Sequence, residues 1–468
     1  MALGKRKSVQ QQPLFVSTAD LNVRQHPFYE AVNKVLAAHH FDTFAEGLCA
    51  KFYDDGSRGG RPGLAPGIYF RCLLVGYFEG IDSERGIDWR CNDSHSLKLF
   101  LGLAIDEAAP DHSTISRTRR LIDVETHAAV FREVLKILAN HELIDGKTAG
   151  VDSTTLEANA AMRSIVRRDS GEGYQEFLTR LAKESGIATP TREDLAKLDK
   201  KRKNKASNDD WQNPNDPDAK ITKMKDGTTH LAHKAEHAVD LGEDAHGAIL
   251  AVTVCDAAAG DTATLADTLL AATENVAAVK DDVRVTDKIG AGDDDFISEA
   301  VLDKGYHSKQ TMLDLEEMNV RSYASEPERG RQKWDGSDLG LDARDAVYAN
   351  RRRINGERGK ALLRSRGEKI ERTFAHCYET GGMRRLHLRG RENVAKRVLI
   401  HAAAFNVGLL MRVKYGLRKP RSLGAAACAL VLRLTQRLAT ARALLRSIDL
   451  IESLRGLIHK RRSMLSLA

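Results

Sequence analysis

Two aspartates stand where a chain can bring carboxylates together. Asp152 lies in KTAGVDSTTLEA, a short segment rich in β-branched residues, and Asp303 closes the strand-like run FISEAVL ahead of a Lys-Gly-Tyr turn. Carboxylates placed side by side repel and raise each other's pKa unless a cation sits between them. Oxygen donors suit Mg2+, which keeps several waters and takes one or two carboxylates together with substrate phosphate. Phosphodiester chemistry commonly uses two such ions roughly 3.5 to 4 Å apart, one at the attacking and one at the leaving oxygen. A third acid is then expected, and RSRGEKIERTFAHCYE offers Glu368 and Glu371. Its apolar stripe, Ile370, Phe374 and Cys377, is spaced i, i+4, i+7 and predicts a helix face packed on a sheet. At about 100° per residue, Glu371 falls on the border of that stripe and Glu368 roughly 160° away toward solvent. Glu371 is therefore preferred, and Glu368 is the alternative.

These acids need elements to position them. KTAGVDSTTLEA, HLAHKAEHAVD and AILAVTVCD read as three strands, DTATLADTLLAATENVAA as a helix, and FISEAVLD as a fourth strand. Strand, strand, strand, helix, strand is the order in which an RNase H-like fold begins, an α/β (α+β) architecture with a mixed sheet. Such a sheet carries its first acid on strand one and its second at the end of strand four, which are neighbours. The expected organisation is a helical N-terminal DNA-binding domain over 1–145 and the sheet domain over 146–415, the latter interrupted by insertions at about 161–219 and 310–350. A basic helical tail over 416–468 would follow. In the first part, Phe28, Val32, Val35 and Leu36 share one helix face, and Tyr69, Leu73, Leu74 and Tyr77 repeat the pattern. In the tail, LGAAACALVLRLTQRLATARALL is interrupted by Arg433, Arg437 and Arg442, which fits a packed or partner-binding helix better than a membrane span.

The chain of 468 residues is 42% hydrophobic, enough for a real core. Its net charge of +7 is unevenly spread. Residues 351 to 422 hold 20 Lys+Arg against 5 Asp+Glu, an excess of 20 − 5 = +15, so a polyanion-seeking face belongs to the last third. Six scattered cysteines without a CxxC pair favour a reducing compartment, and MALGKRKSVQQQPLF has no apolar segment behind its basic residues, unlike a signal peptide. In PDHSTISRTRRLID, Asp111 or Ser113 caps a helix bearing Arg117, Arg119 and Arg120, which reads equally as a groove-entering helix or a solvated charged face. Asp261 reads as a helix N-cap and Asp256 as the end of strand three. The two histidines of HKAEH read as structural, since a strand lacks the helix geometry of a zinc-protease motif. NGERGK is too short for a phosphate-binding loop, so no nucleotide cofactor is implied.

GVDSTTLEANA, HLAHKAEHAVD, VLDKGYHS and EKIERTFAHCYETGGMRRLHLRG, in that order, resemble the catalytic blocks of bacterial insertion-sequence transposases of the DDE type. PDHSTISRTRRL resembles the end of that group's helical amino-terminal domain, and the resemblance runs from about Arg61 to about Arg412. It implies Asp152, Asp303 and Glu371 as catalytic residues and metal ligands, with two Mg2+ ions for which Mn2+ is an accepted substitute. It also implies DNA as partner, terminal inverted repeats bound by the amino-terminal helices, and strand cleavage followed by strand transfer in a homodimer or larger assembly. The place would be the bacterial cytoplasm at the nucleoid, with no membrane. Arg366, Arg372, Arg384, Arg385 and Arg389 would hold phosphates beside Arg117, Arg119 and Arg120. One departure stands out: related groups carry Arg four residues before the glutamate and Lys seven after, where this chain has Gly367 and Tyr378, whereas Glu368 does have Arg364 four before it. A DNA-binding repressor without catalysis, and an RNase H-like nuclease that cuts without joining, are the rival readings.

Overall fold

The computed structural model describes residues 25–53, 63–202, 206–224, 227–242, 245–285, 297–328, 334 and 340–420. The expected tail therefore lies outside the described residues from 421 onward. The amino-terminal part is helical: α1 (Pro27–Ala38), α2 (Phe41–Cys49), α3 (Pro66–Glu79), α4 (Glu84–Asn92), α5 (His95–Leu101), α6 (His112–Leu121) and α7 (Val124–Asn140). Local chemistry sets several starts. Asp111 accepts hydrogen bonds from the Ser113 and Thr114 amides to open α6, and Asp123 accepts from Thr126 to open α7. Gly80 and Gly102 close α3 and α5 in the left-handed conformation that favours glycine.

The sheet begins with β1 (Thr148–Glu157). A small module follows, built of β2 (Val166–Arg167), α8 (Tyr174–Glu184), α9 (Arg192–Lys201) and β3 (Trp211–Gln212). It has its own core around Ile165, Phe177, Leu195 and Trp211. The chain then supplies β4 (Lys220–Lys223), β5 (Thr229–Asp240), β6 (Ile249–Asp256), α10 (Asp261–Lys280) and β7 (Glu299–Leu302). After β7 come α11 (Lys309–Glu317), β8 (Arg321–Ala324), α12 (Gly340–Asn355), α13 (Glu357–Phe374) and α14 (Arg391–Tyr415). The sheet runs β4-β5-β1-β7-β8, with β6 also on β5. β5 pairs antiparallel with β1 and β6, while β7 pairs parallel with β1 and with β8. This is the mixed sheet of an RNase H-like fold.

Two expectations from sequence change. Residues 309–324, read as part of an insertion over 310–350, form α11 and the sheet's edge strand β8, because the four-residue run RSYA pairs with β7 from Glu299↔Arg321 to Leu302↔Ala324. The boundary at 145/146 is also no boundary in packing. One core runs from Phe28 through Leu73, Leu138, Val151 and Val301 to Met411. α14 joins the two parts, packing on α7, α3 and β6. It is long and apolar enough to cross a membrane, yet 83% of its most apolar window is buried inside the protein, so it is a core helix.

Sheet edges are closed by side chains from helices. Asn406 of α14, fully buried, donates to the carbonyl oxygen of Ile249 and accepts from its amide, each at 2.9 Å, across the start of β6. Asn350 of α12 does the same to Ala324 of β8 (2.8 and 2.9 Å). Each amide acts as one more rung of the sheet, satisfying edge groups that would otherwise be buried unpaired. Replacing Asn406 with Leu should cost about 1–3 kcal/mol. Because helices and sheet share one core, calorimetry should show that loss as the shift of a single transition; separate melting of the amino-terminal helices and the sheet would contradict this packing.

Candidate active site

Asp152 sits midway along β1, on the face shared with Gly150. That face meets α13: the Cδ1 of Ile370 lies 3.2 Å from where a Cβ on Gly150 would stand. The parallel register pairs Val151 with Leu302, so Asp152 and Asp303 each follow one residue later on neighbouring strands. Strands in a sheet lie about 4.8 Å apart, which makes the two aspartates neighbours. β7 ends there. A 3-10 turn, Lys304–Tyr306, carries the chain away, with Asp303 preceding it and its carbonyl oxygen accepting from Tyr306 N.

Arg366 on α13 balances the first acid. Its Nη2 lies 2.9 Å from the Asp152 Oδ2, and its Nε donates to the Val151 carbonyl oxygen at 3.3 Å. The Nη2 contact is an ion pair without hydrogen-bond alignment, since that nitrogen is buried and makes no hydrogen bond. The Arg366 side chain is 11% exposed and the Asp152 side chain 30%.

Helix geometry then ranks the glutamates. Arg366 and Ile370 point at the sheet, and Lys369 reaches the Gly242 carbonyl oxygen (3.1 Å) beside the start of β1. Gly367 and Glu371 lie on the edge of α13 opposite Lys369, about 100° and 140° from Arg366. A Cβ on Gly367 would meet nothing within 4 Å, so this edge is open. Glu371 is exposed there. Glu368 projects away from the sheet, 76% exposed, with Arg372 at 3.8 Å.

α13 is fixed by a buried histidine. His237 of β5, in register with Asp152, contacts Thr373 Oγ1 through Nδ1 (3.1 Å) and Tyr378 O–H through Nε2 (2.5 Å). Burial lowers its pKa to about 3. His233 lies against Asp216 at 3.2 Å with both side chains buried, so the histidines of HKAEH are structural. At Ala375–Glu379 the helix widens into a π-turn that buries Cys377 and Tyr378.

Two family models match this chain: one described as a transposase domain (DUF772) over residues 18–121, the other as a transposase DDE domain over residues 339–411. Together the two matches support an insertion-sequence DDE transposase. A search of curated proteins gave no match. The DDE match covers α12 to α14 and thus both candidate glutamates, while the two aspartates lie outside it.

Divalent-metal dependence comes with this family. Two neighbouring aspartates are oxygen donors of the kind Mg2+ takes. Among the described residues no three His, Cys, Asp or Glu side chains converge at ligand distance, so the structure brings Asp152 and Asp303 together without gathering Glu371 onto them. The residues fit a divalent ion as a pair of carboxylates, with the third on an adjacent open edge.

The arginines of the transposase divide. Arg117 and Arg120 are exposed on α6, and Arg385 is 74% exposed with Glu157 at 3.5 Å. Arg389 is exposed, and its Nε donates to the Asn159 carbonyl oxygen. Arg119, expected on a DNA-facing surface, is buried instead: it is paired with Glu84 of α4 and bonded to Asn393 of α14, tying three helices together. Arg384 is also committed inward, donating to Thr154 Oγ1 (3.0 Å) and the Thr155 carbonyl oxygen (3.1 Å) while facing Glu379. Its neighbours extend the sheet, with Leu386 N bonded to the Glu157 carbonyl oxygen along the β1 edge that β7 leaves open.

Sequence reasoning missed the polar network on the other face of β1. Asp261 is the first residue of α10 rather than its cap, and its carboxylate accepts from Ser153 Oγ (2.9 Å) and pairs with Lys234 Nζ (2.7 Å). Glu236, buried, accepts from Tyr306 O–H (2.6 Å) and from Thr264 and Thr268. Burial raises the pKa of Glu236 and pushes the Tyr306 phenol well up. The Glu236–Tyr306 bond anchors the turn after Asp303. Its only sequence signal was the alternation HKAEH, whose Lys and Glu face one side of the strand.

His237 also makes a pH prediction. Its folded pKa, about 3, lies below the unfolded 6.5, so between those values the unfolded chain binds more protons and stability falls as pH falls. His237→Gln should flatten denaturant-measured stability against pH in that window, where one such histidine contributes a slope of up to about 1.4 kcal/mol per pH unit. An unchanged slope would show that His237 is not held neutral.

Proposed function

We propose that this transposase binds the terminal inverted repeats of its own mobile element, cuts at the element's ends and transfers the freed 3′ ends to target DNA, using Asp152, Asp303 and Glu371 together with Mg2+. The observation that carries this reading is that Asp152, midway along β1, and Asp303, directly after β7, each follow a paired residue of two parallel neighbouring strands, beside a helix whose open edge bears Glu371. When bound, the divalent ions supply polarisation of the scissile phosphate and a nucleophile at neutral pH. The three carboxylates would hold them, two from the strands and one from α13. Mn2+ substitutes, and two ions suit a displacement that must serve both attacking and leaving oxygens.

The chain's own cations do the rest. Arg366 stands within ion-pair distance of Asp152, and its planar fork suits a phosphate oxygen brought to the same place. Arg372, on the exposed side of α13, and Arg385 and Arg389, beyond the end of β1, would track the backbone away from the cut. Arg117 and Arg120 on α6 would contact the repeat ends from the amino-terminal helices. Joining two ends needs two copies, so a dimer or larger assembly on DNA is expected. Exposed phosphate contacts of this kind make binding strongly salt-dependent. The setting would be the bacterial nucleoid.

Alanine at Asp152, Asp303 or Glu371 should reduce Mg2+-dependent cleavage of end-containing DNA below about 1% of wild type, a loss of at least about 2.7 kcal/mol. Glu368→Ala should remain within a few-fold of wild type. A folded Glu371→Ala that cuts at the normal rate beside an inactive Glu368→Ala would exchange the roles of the two glutamates. Cleavage with no joined product in the presence of target plasmid would favour a nuclease that does not transfer strands, and DNA binding without any cutting would favour a repressor.

A further inference from the structure

Beyond the end of β1 lies a polar cavity of about 540 Å3, a size typical of ligand pockets. Three walls enclose it: the ends of β1 and β5 at Glu157 and His230, the inserted module at Arg163 and Asn215, and the loop carrying Arg385 and Arg389. The walls are fixed in advance. Asp216, fully buried, accepts from Gly390 N (3.2 Å) and faces His233 of β5, locking module, loop and strand together. Asn213, also fully buried, donates to the Ala161 carbonyl oxygen (3.3 Å) and Ser164 Oγ (3.1 Å), holding the turn that presents Arg163. Glu157 lies loosely between two cationic or ionisable groups, 3.5 Å from Arg385 and 3.6 Å from His230.

The lining is rich in donors. Three guanidinium groups suit phosphate, while side-chain amides and an imidazole ring suit the edge and face of a base. At about 540 Å3 the space is far too small for a duplex but accommodates one base with its sugar and phosphate. Its position fits a strand leaving the catalytic carboxylates: Glu157 lies five residues beyond Asp152 on β1, roughly 17 Å at about 3.3 Å per residue. We propose that this pocket binds one unpaired nucleotide of a DNA strand running away from the site of cleavage, with Arg163 and Arg389 on its phosphates and His230 against its base. This rests on the reading that the chain acts on DNA.

The test measures binding of the full-length protein to a short single strand carrying 2-aminopurine and to a blunt duplex, by anisotropy and by 2-aminopurine emission. Arg163→Glu should weaken single-strand binding about tenfold and lower its salt slope by about 0.7, one phosphate contact. Duplex affinity should fall much less. His230→Ala, in a protein that melts like wild type, should remove most of the emission change while altering affinity only a few-fold. Single-strand binding unaffected by either change, or equal loss on both DNAs, would overturn the pocket and leave the proposed transposase activity standing. A wild-type protein that binds neither DNA would overturn both. Running the single-strand arm with DNA flanking the gene and with unrelated DNA separates an element-end strand from a target strand as the source.

Discussion

A half-buried carboxylate needs a counter-charge, and at Asp152 the protein supplies it from Arg366, on an element joined to the strand only through the fold. That ion pair requires β1 and α13 to lie face to face at one register. Gly150 makes the approach possible, because a side chain there would collide with Leu241 and press on Ile370. His237 pins the far end of the helix through Thr373 and Tyr378. On the opposite face, Lys234, Glu236 and Asp261 hold the start of α10 and the turn after Asp303. The two networks flank the middle of β1 and the end of β7, so the backbone that carries the aspartates is held by buried contacts.

The same logic runs outward to the whole chain. The amino-terminal helices are not an appended module, since α14 fills the space between them and the sheet with a helix apolar nearly all round. Any DNA contact made by α6 is therefore rigidly coupled to the carboxylates through Arg119, which reaches α4 and α14 from inside. The inserted module follows the end of β1 and is clamped by Asp216 to the loop at Gly390 and to His233 of β5.

Much of this was legible in the amino-acid sequence. Strand-like runs marked β1, β5, β6 and β7 in order, and the stripe Ile370, Phe374, Cys377 correctly predicted the face of α13 and the π-turn after it that packs down. What stayed hidden depends on distant partners. β8 is four residues long, too short for its pattern to stand out, and exists because β7 offers it a ladder. Arg119 looks like its neighbours Arg117 and Arg120, and only Glu84 and Asn393 draw it inside. Asp261 has a cap's sequence context, but Gly260 takes the cap position and the Asp261 carboxylate pairs with Lys234 instead. The apolar faces of the early helices were visible, yet nothing local says that α3 and α7, besides packing on their neighbours, are also buried against α14.

On this account Asp152, Asp303 and Glu371 meet at one divalent-metal site. Fe2+ put in place of Mg2+, with ascorbate and peroxide, generates radicals that cut the backbone close to the metal, and the fragments map the site without requiring catalysis. Cuts clustered around residues 152, 303 and 371, suppressed by excess Mg2+ and absent in Asp152→Ala, are the predicted result. Mg2+-protected cuts that leave out the region of 371, or that fall on none of these elements, would contradict it.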